Sequence, residues 1–159
     1  MNLILSEDKA HKLQVLATEL TGIPYKFGDK AQNLDEEPDK IIDIDCSGLV
    51  RYMYHKIGYD IVDGSGNQYE ITSDVLEPEI GDLVFKKDTN GVVIHVGMII
   101  SQSPADILTI EASGSFGRVL IRPLVDFKVY PIGKVFAGVR RLITEKVTVN
   151  DIPVSSPIG

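Results

Sequence analysis

Residues 43–57 read DIDCSGLVRYMYHKI, and this stretch holds the only cysteine of the chain. Cys46, Leu49, Val50, Met53, Tyr54 and Ile57 recur at the spacing of one apolar helix face. The spacing predicts a core-facing helix with Cys46 in its first turn. Asp43 and Asp45 stand just ahead, where a carboxylate accepts hydrogen bonds from the free N–H groups of that turn. A thiol so placed feels the positive end of the helix dipole, which favours the thiolate. Gly48 leaves room for backbone or substrate to come close. The competing reading is an inert core cysteine, because free Cys often packs as a small apolar residue.

Upstream, Ser6 followed by Glu7 and Asp8 reads as a cap with acids in the first turn, and Leu13, Leu16 and Leu20 continue a helical stripe. A first helix is expected over about Glu7 to Leu20, stopped by Gly22 and Pro24. The acidic run Asp35 to Asp39 reads as a solvated, mobile loop, or else as one wall of a substrate groove. Downstream of the cysteine helix, residues 68–76 fit a short helix or an irregular segment. The period then changes to alternation. Strands are expected from Gly81 to Phe85, and from Val92 to Ile100 after an Asn90-Gly91 turn. Further strands are expected over Ile107–Ala112, Arg118–Ile121 and Val135–Leu142. Helices first and short antiparallel strands after them predict an α+β domain.

A length of 159 residues, 43% of them hydrophobic and 25% charged, fits one soluble globular domain. That domain is expected over residues 1–143, with 144–159 as a C-terminal tail. A formal net charge of −7 argues against nucleic acid or an anionic membrane surface as partner. One cysteine excludes an internal disulfide, and with His11, His55 and His95 it offers no zinc-type spacing. Neither metal nor cofactor is therefore expected. The N-terminus lacks the basic and long apolar regions of a Sec signal, and no stretch is long enough to span a bilayer. Synthesis in the cytoplasm is expected, so that action outside it requires another carrier.

Nucleophilic cysteine catalysis needs a thiolate, an imidazole and a polar group that orients the imidazole. His11 sits on the polar part of the first helix beside Lys12. His55 lies roughly two and a half turns beyond Cys46, on the far side of the same helix. His95 is set in the most apolar strand, between Ile94 and Val96, where a polar side chain needs a partner or a purpose. Alternation groups it with Val93, Gly97 and Ile99, and Gly97 is expected to leave open space beside the ring. Glu111 is the charged residue of the next apolar strand. Either it accepts the imidazole Nδ1–H of His95, or it faces solvent. If it orients His95, Glu111→Gln is expected to lower activity with little change in thermal stability.

Several segments in this order resemble the NlpC family of bacterial cell-wall peptidases. They are GIPYKFG (22–28), IDCSGLVRYMY (44–54), IGDLVFKK (80–87), HVGMII (95–100), TIEASGSFGRVLI (109–121) and FAGVRRL (136–142). The resemblance implies a papain-like NlpC-type fold, with N-terminal helices, the cysteine helix among them, packed on an antiparallel sheet. It implies a cysteine endopeptidase or amidase acting on peptidoglycan stem peptides. Cys46 would be the nucleophile, His95 the general base and acid, and Glu111 the orienting residue in a position usually held by His, Asn or Gln. Tyr25 matches a tyrosine near the nucleophile and the substrate's amino end, and Asp45 and Ser47 border that same binding site. The segment from Gly28 to Cys46 is longer than is usual in the family. Peptidoglycan peptide is the implied partner, with phage or other delivery proteins as candidate carriers to the wall. Acyl transfer, hydrolysis of a non-wall amide or thioester, and a non-catalytic role in a phage tail or other assembly are the alternatives on the same fold.

Overall fold

The computed structural model describes residues 1–30, 33–150 and 152. Helix α1 spans Glu7–Leu20, with the Ser6 side chain accepting from Lys9 N–H, and α2 spans Cys46–Lys56. Both follow the spacing and caps read from the sequence. Strand β1 (Tyr59–Asp60), the short helix α3 (Ser65–Glu70) and strand β2 (Thr72–Asp74) come next. Strands β3 (Leu83–Lys87), β4 (Val93–Ser103), β5 (Asp106–Ser113) and β6 (Arg118–Pro123) follow as a meander. A six-residue helix α4 (Leu124–Val129), strand β7 (Val135–Leu142) and strand β8 (Thr148–Val149) complete the chain. The main sheet has the order β2-β7-β3-β4-β5-β6, and every pairing in it is antiparallel.

Strand alternation divides the apolar residues between two faces. Leu83 and Phe85 of β3, Val96 and Met98 of β4, and Ile110 and Ala112 of β5 join the main core with α1 and α2. Leu13, Leu16 and Leu20 from α1 and Leu49, Val50 and Met53 from α2 are all but inaccessible there. Each such side chain contributes about 1.5–3 kcal/mol by leaving water. Val84 and Ile99 point the other way and meet Leu124 and Phe127 of α4 in a smaller cluster. The helix α4 was not read from the sequence, because six residues are too few to display a period.

Three sequence expectations change on contact with tertiary structure. Residues 68–76 are the end of α3 followed by β2, paired with β7. The acidic run is held rather than mobile: Tyr52 donates its hydroxyl proton to the Glu36 carbonyl, Asp35 contacts His55, and Pro38 is buried. Within the expected C-terminal tail, residues 144–146 form a 3-10 turn and β8 pairs with β1. Residues 151 and 153–159 of that tail lie outside the described residues. Among the described residues no helix is long and apolar enough to cross a membrane.

Candidate active site

The loop before α2 and the first turn of that helix set the position of Cys46. Asp45 is the N-cap, and its Oδ1 accepts the Gly48 N–H at 2.7 Å. A Cβ on Gly48 would stand 2.8 Å from that same oxygen, so the room left by this glycine belongs to the cap. The other Asp45 oxygen receives the Lys30 ammonium, which also donates to Ser47 Oγ at 2.8 Å and lies 3.3 Å from Asp63 Oδ1. Asp45 and Ser47 are consequently buried and engaged within the protein. The segment before them is clamped in turn. Tyr25 forms a parallel bridge with Ile44, and its N–H donates to the Gly117 carbonyl at 3.0 Å. The Tyr25 hydroxyl is harder to ionise than usual, first through burial and then through the negative charge of Cys46 and Asp45. Tyr25 thus lies within electrostatic reach of Cys46 and Asp45.

His95 reaches the site from β4 and is 7% exposed. Its Nε2 pairs with Glu111 Oε1 on β5 at 2.8 Å. The sequence reading put Nδ1 in this bond. The structure assigns Nε2, the ring nitrogen farther from the backbone, because Glu111 sits on the neighbouring strand and is met by the outer edge of the ring. Nδ1 is left free of the carboxylate. Burial by itself favours neutral imidazole, but hydrogen bonding and negative charge from Cys46 and Glu111 outweigh it and raise the pKa of His95. Glu111 is 1% exposed, which answers the alternative that it faces solvent. Burial pushes its pKa up, and the bonds from His95 and Arg122 overcome that and bring it below the usual glutamate range.

The open space expected beside Gly97 is filled. The Phe127 ring of α4 stacks on His95, with ring centroids 5.7 Å apart and planes 21° from parallel. A Cβ on Gly97 would come within 3.2 Å of Phe127 Cε2 and 2.8 Å of the Ile110 carbonyl oxygen. Glycine serves here to admit an aromatic ring that fixes the plane of the imidazole.

Behind Glu111 lie two cations that sequence reasoning passed over. Arg122 of β6 donates through Nε to Glu111 Oε2 at 2.5 Å and through a terminal nitrogen to Oε1 at 3.2 Å. Lys86 of β3 is directly opposite His95 in the β3–β4 register, fully buried, and donates to the Tyr130 carbonyl. Arg122 had a legible signal, since β5 and β6 each carry a charge inside an apolar run and a buried charge needs a partner. Lys86 had none, because Lys86-Lys87 reads as the exposed end of a strand. The other two histidines stay apart from Cys46: His55 is bound to Asp60 and Asp35, and His11 is exposed on α1. No metal-binding cluster is present among the described residues.

The NlpC/P60 family model matches residues 22–125, which include the whole Cys46, His95 and Glu111 constellation. The chain belongs to the NlpC/P60 family. Across 112 residues it is 34% identical to the peptidoglycan endopeptidase RipB of Mycobacterium tuberculosis, covering 65% of this chain and 43% of RipB. The chain therefore spans less than half the length of that curated relative. The solved structure of the RipB peptidoglycan hydrolase superposes with a TM-score of 0.60 at 26% identity, covering 87% of this chain and 67% of the other. A lipoprotein-like NLP/P60 family protein from Staphylococcus aureus reaches a TM-score of 0.68, covering 89% of this chain and 44% of that one. At 22% identity it supports the fold alone. The resemblance drawn from the sequence and the α+β, NlpC-type fold are both borne out.

Proposed function

We propose that this NlpC/P60 chain is a cysteine peptidase that hydrolyses amide bonds in peptidoglycan stem peptides, acting at the cell wall. The observation that carries the proposal is the buried pair of His95 Nε2 with Glu111 Oε1 at 2.8 Å, set where the negative charge of Cys46 raises the His95 pKa, with Cys46 in the first turn of a helix capped by Asp45. In this reading Cys46 is the nucleophile, His95 the general base and acid, and Glu111 the residue that orients His95. The thiolate adds to the scissile carbonyl carbon, and the oxyanion is met by backbone N–H groups at the start of α2, the Cys46 amide among them. His95 gives its proton to the leaving amine as the C–N bond breaks, which leaves an acyl-enzyme on Cys46. It then takes a proton from water, the hydroxide adds to the thioester carbon, and the C–S bond breaks, which regenerates the Cys46 thiolate and releases the acid product. Tyr25 borders the side toward the substrate's amino end, and behind it Lys30, Asp45 and Ser47 form a largely buried hydrogen-bonded support.

The test is digestion of purified peptidoglycan and soluble muropeptides by the full chain, with fragments identified by mass spectrometry. Wild type is expected to release stem-peptide fragments, and Cys46→Ala and His95→Ala to release none while retaining wild-type circular dichroism. Release that persists in Cys46→Ala removes this mechanism.

A further inference from the structure

Arg122 has no contact with Cys46 in the hydrogen-bond network, yet its surroundings are built with unusual care for a strand arginine. Its guanidinium makes a two-pronged bond to Glu111 at 2.5 and 3.2 Å. A terminal nitrogen also donates to the Tyr130 carbonyl at 2.9 Å, just past the end of α4. Two rings lie within reach of the guanidinium, the Phe116 centroid at 5.1 Å and the Phe127 centroid at 5.7 Å from Cζ. Phe127 is the ring that also stacks on His95. One rigid fork thus touches the carboxylate that holds His95 and the aromatic that sets its plane.

The charges have a consequence for proton transfer. A lone buried carboxylate against imidazole favours a trapped imidazolium: the neutral ring takes up a proton readily and then gives it up poorly. A general base that must become a general acid within one turnover works best near balance. The groups facing His95 are Cys46 from α2, Lys86 from β3 and Glu111 from β5, with Arg122 from β6 behind Glu111. Arg122 pairs with Glu111 one to one, so the third position offers Nε2 an acceptor oxygen with little net charge. Electrostatically the pair stands in for the neutral side chains that usually occupy the third position.

Resting on the peptidase reading above, we propose that Arg122 is a positioning residue for the reaction: acting through Glu111, it aims the acceptor oxygen at His95 Nε2 and balances its charge. Removing a fixed positive charge strengthens proton binding by the His95–Glu111 unit as a whole, whichever of the two carries the proton. Removing only the fork geometry disturbs alignment and leaves that balance intact.

The experiment uses the full chain labelled with 15N-histidine, with His95 assigned through His95→Ala. It follows the imidazole titration by NMR beside kcat and KM on muropeptides. In Arg122→Met the titration is expected to move up by about one pH unit, and kcat to fall roughly a hundredfold at little change in KM. Arg122→Lys is expected to keep the wild-type titration while losing part of kcat. The double variant Glu111→Gln, Arg122→Met removes both charges together, leaves neither member of that pair as a lone ion, and is expected to return the titration to within a few tenths of a unit of wild type. A wild-type titration and kcat in Arg122→Met, even with a lower melting temperature, overturns the proposal by making Arg122 structural only. A wild-type His95 whose titration is indifferent to Cys46→Ala, in a protein that cleaves no muropeptide, overturns the peptidase reading and this inference with it.

Discussion

Replacing Gly97 by alanine adds one methyl group to the centre of β4, on the face that carries His95. Gly97 has an ordinary strand conformation, so the backbone imposes no penalty. The cost is steric. The new carbon would lie 2.8 Å from the Ile110 carbonyl oxygen and 3.2 Å from both Phe127 Cε2 and Val84 Cγ2, whereas apolar contacts are comfortable at about 3.5–4.0 Å. Phe127 can tilt, but Ile110 is backbone in the neighbouring strand and cannot yield without disturbing the β4–β5 ladder. Overpacking of this kind costs about 1–3 kcal/mol, and the lower entropy of unfolded alanine returns about 0.4–1 kcal/mol. A net loss of about 1–2 kcal/mol corresponds to a fall in melting temperature of roughly 2–8 °C for a chain of this size. Because the displaced ring is the one stacked on His95, turnover is expected to fall by about tenfold as well. Scanning calorimetry and initial rates on one preparation test both effects. Wild-type melting and wild-type rate together would refute the close approach at Gly97 and the role given to Phe127.

Glu111→Gln leaves Arg122 buried without its counter-ion, so the structure revises the expectation of little change in stability: a loss of about 3 kcal/mol is expected from denaturant titration, alongside the loss of activity. His95 has a raised folded-state pKa, so the stability it contributes is full below the ordinary histidine range and is lost as pH rises through the folded value. Glu111 has a lowered one, so its contribution is present above the ordinary glutamate range and is lost as pH falls through the folded value. Melting temperature should therefore decline on both sides of weakly acid pH, and His95→Gln should flatten the alkaline arm in a pH series of thermal melts. Burial, followed by the positive charge of Arg122, lowers Lys86 to about 8. Its ammonium is thus a burden on the fold at neutral pH that eases as pH rises through that value toward the ordinary lysine range. Lys86→Met should melt at or above the wild-type temperature at pH 7, with the advantage gone near pH 10.

Local signals were legible where one element contains its own pattern. The Ser6 cap and the leucine stripe of α1, and the Asp45 cap and apolar face of α2, are complete within a few turns. Strand β4 announced itself by alternation, and His95 and Glu111 by being polar in apolar runs. What could not be read depended on distant partners. Helix α4 exists because Leu124 and Phe127 cover Val84 and Ile99, a contact made by strands far back in the chain. Whether Nδ1 or Nε2 meets Glu111 follows from how two strands are staggered, which residue identity does not encode. Strand β1 has two residues and is a strand only because β8 returns beside it. Lys86 reads as surface until β4 and β7 on either side and α4 above close around it.

The start of the chain lies beside the end of β7 and the turn after it. Leu3 N–H donates to the Leu142 carbonyl at 2.8 Å, Asn2 bridges Ile143, Thr144 N–H donates to the Met1 carbonyl at 2.8 Å, and the N-terminal ammonium contacts Glu145 at 3.2 Å. None of these residues belongs to the candidate active site. The seam closes a loop of nearly the whole chain, and because closure entropy grows only slowly with loop length, its length adds little to the cost of these contacts. Amide exchange should be faster at Leu3 and Thr144 than at Val96 or Ile110, which are fully buried in the central strands. The seam also frees the linear order of the fold. A chain joined across it and reopened in the exposed turn at Pro104 would carry the same helix, strands and site in a different sequence order.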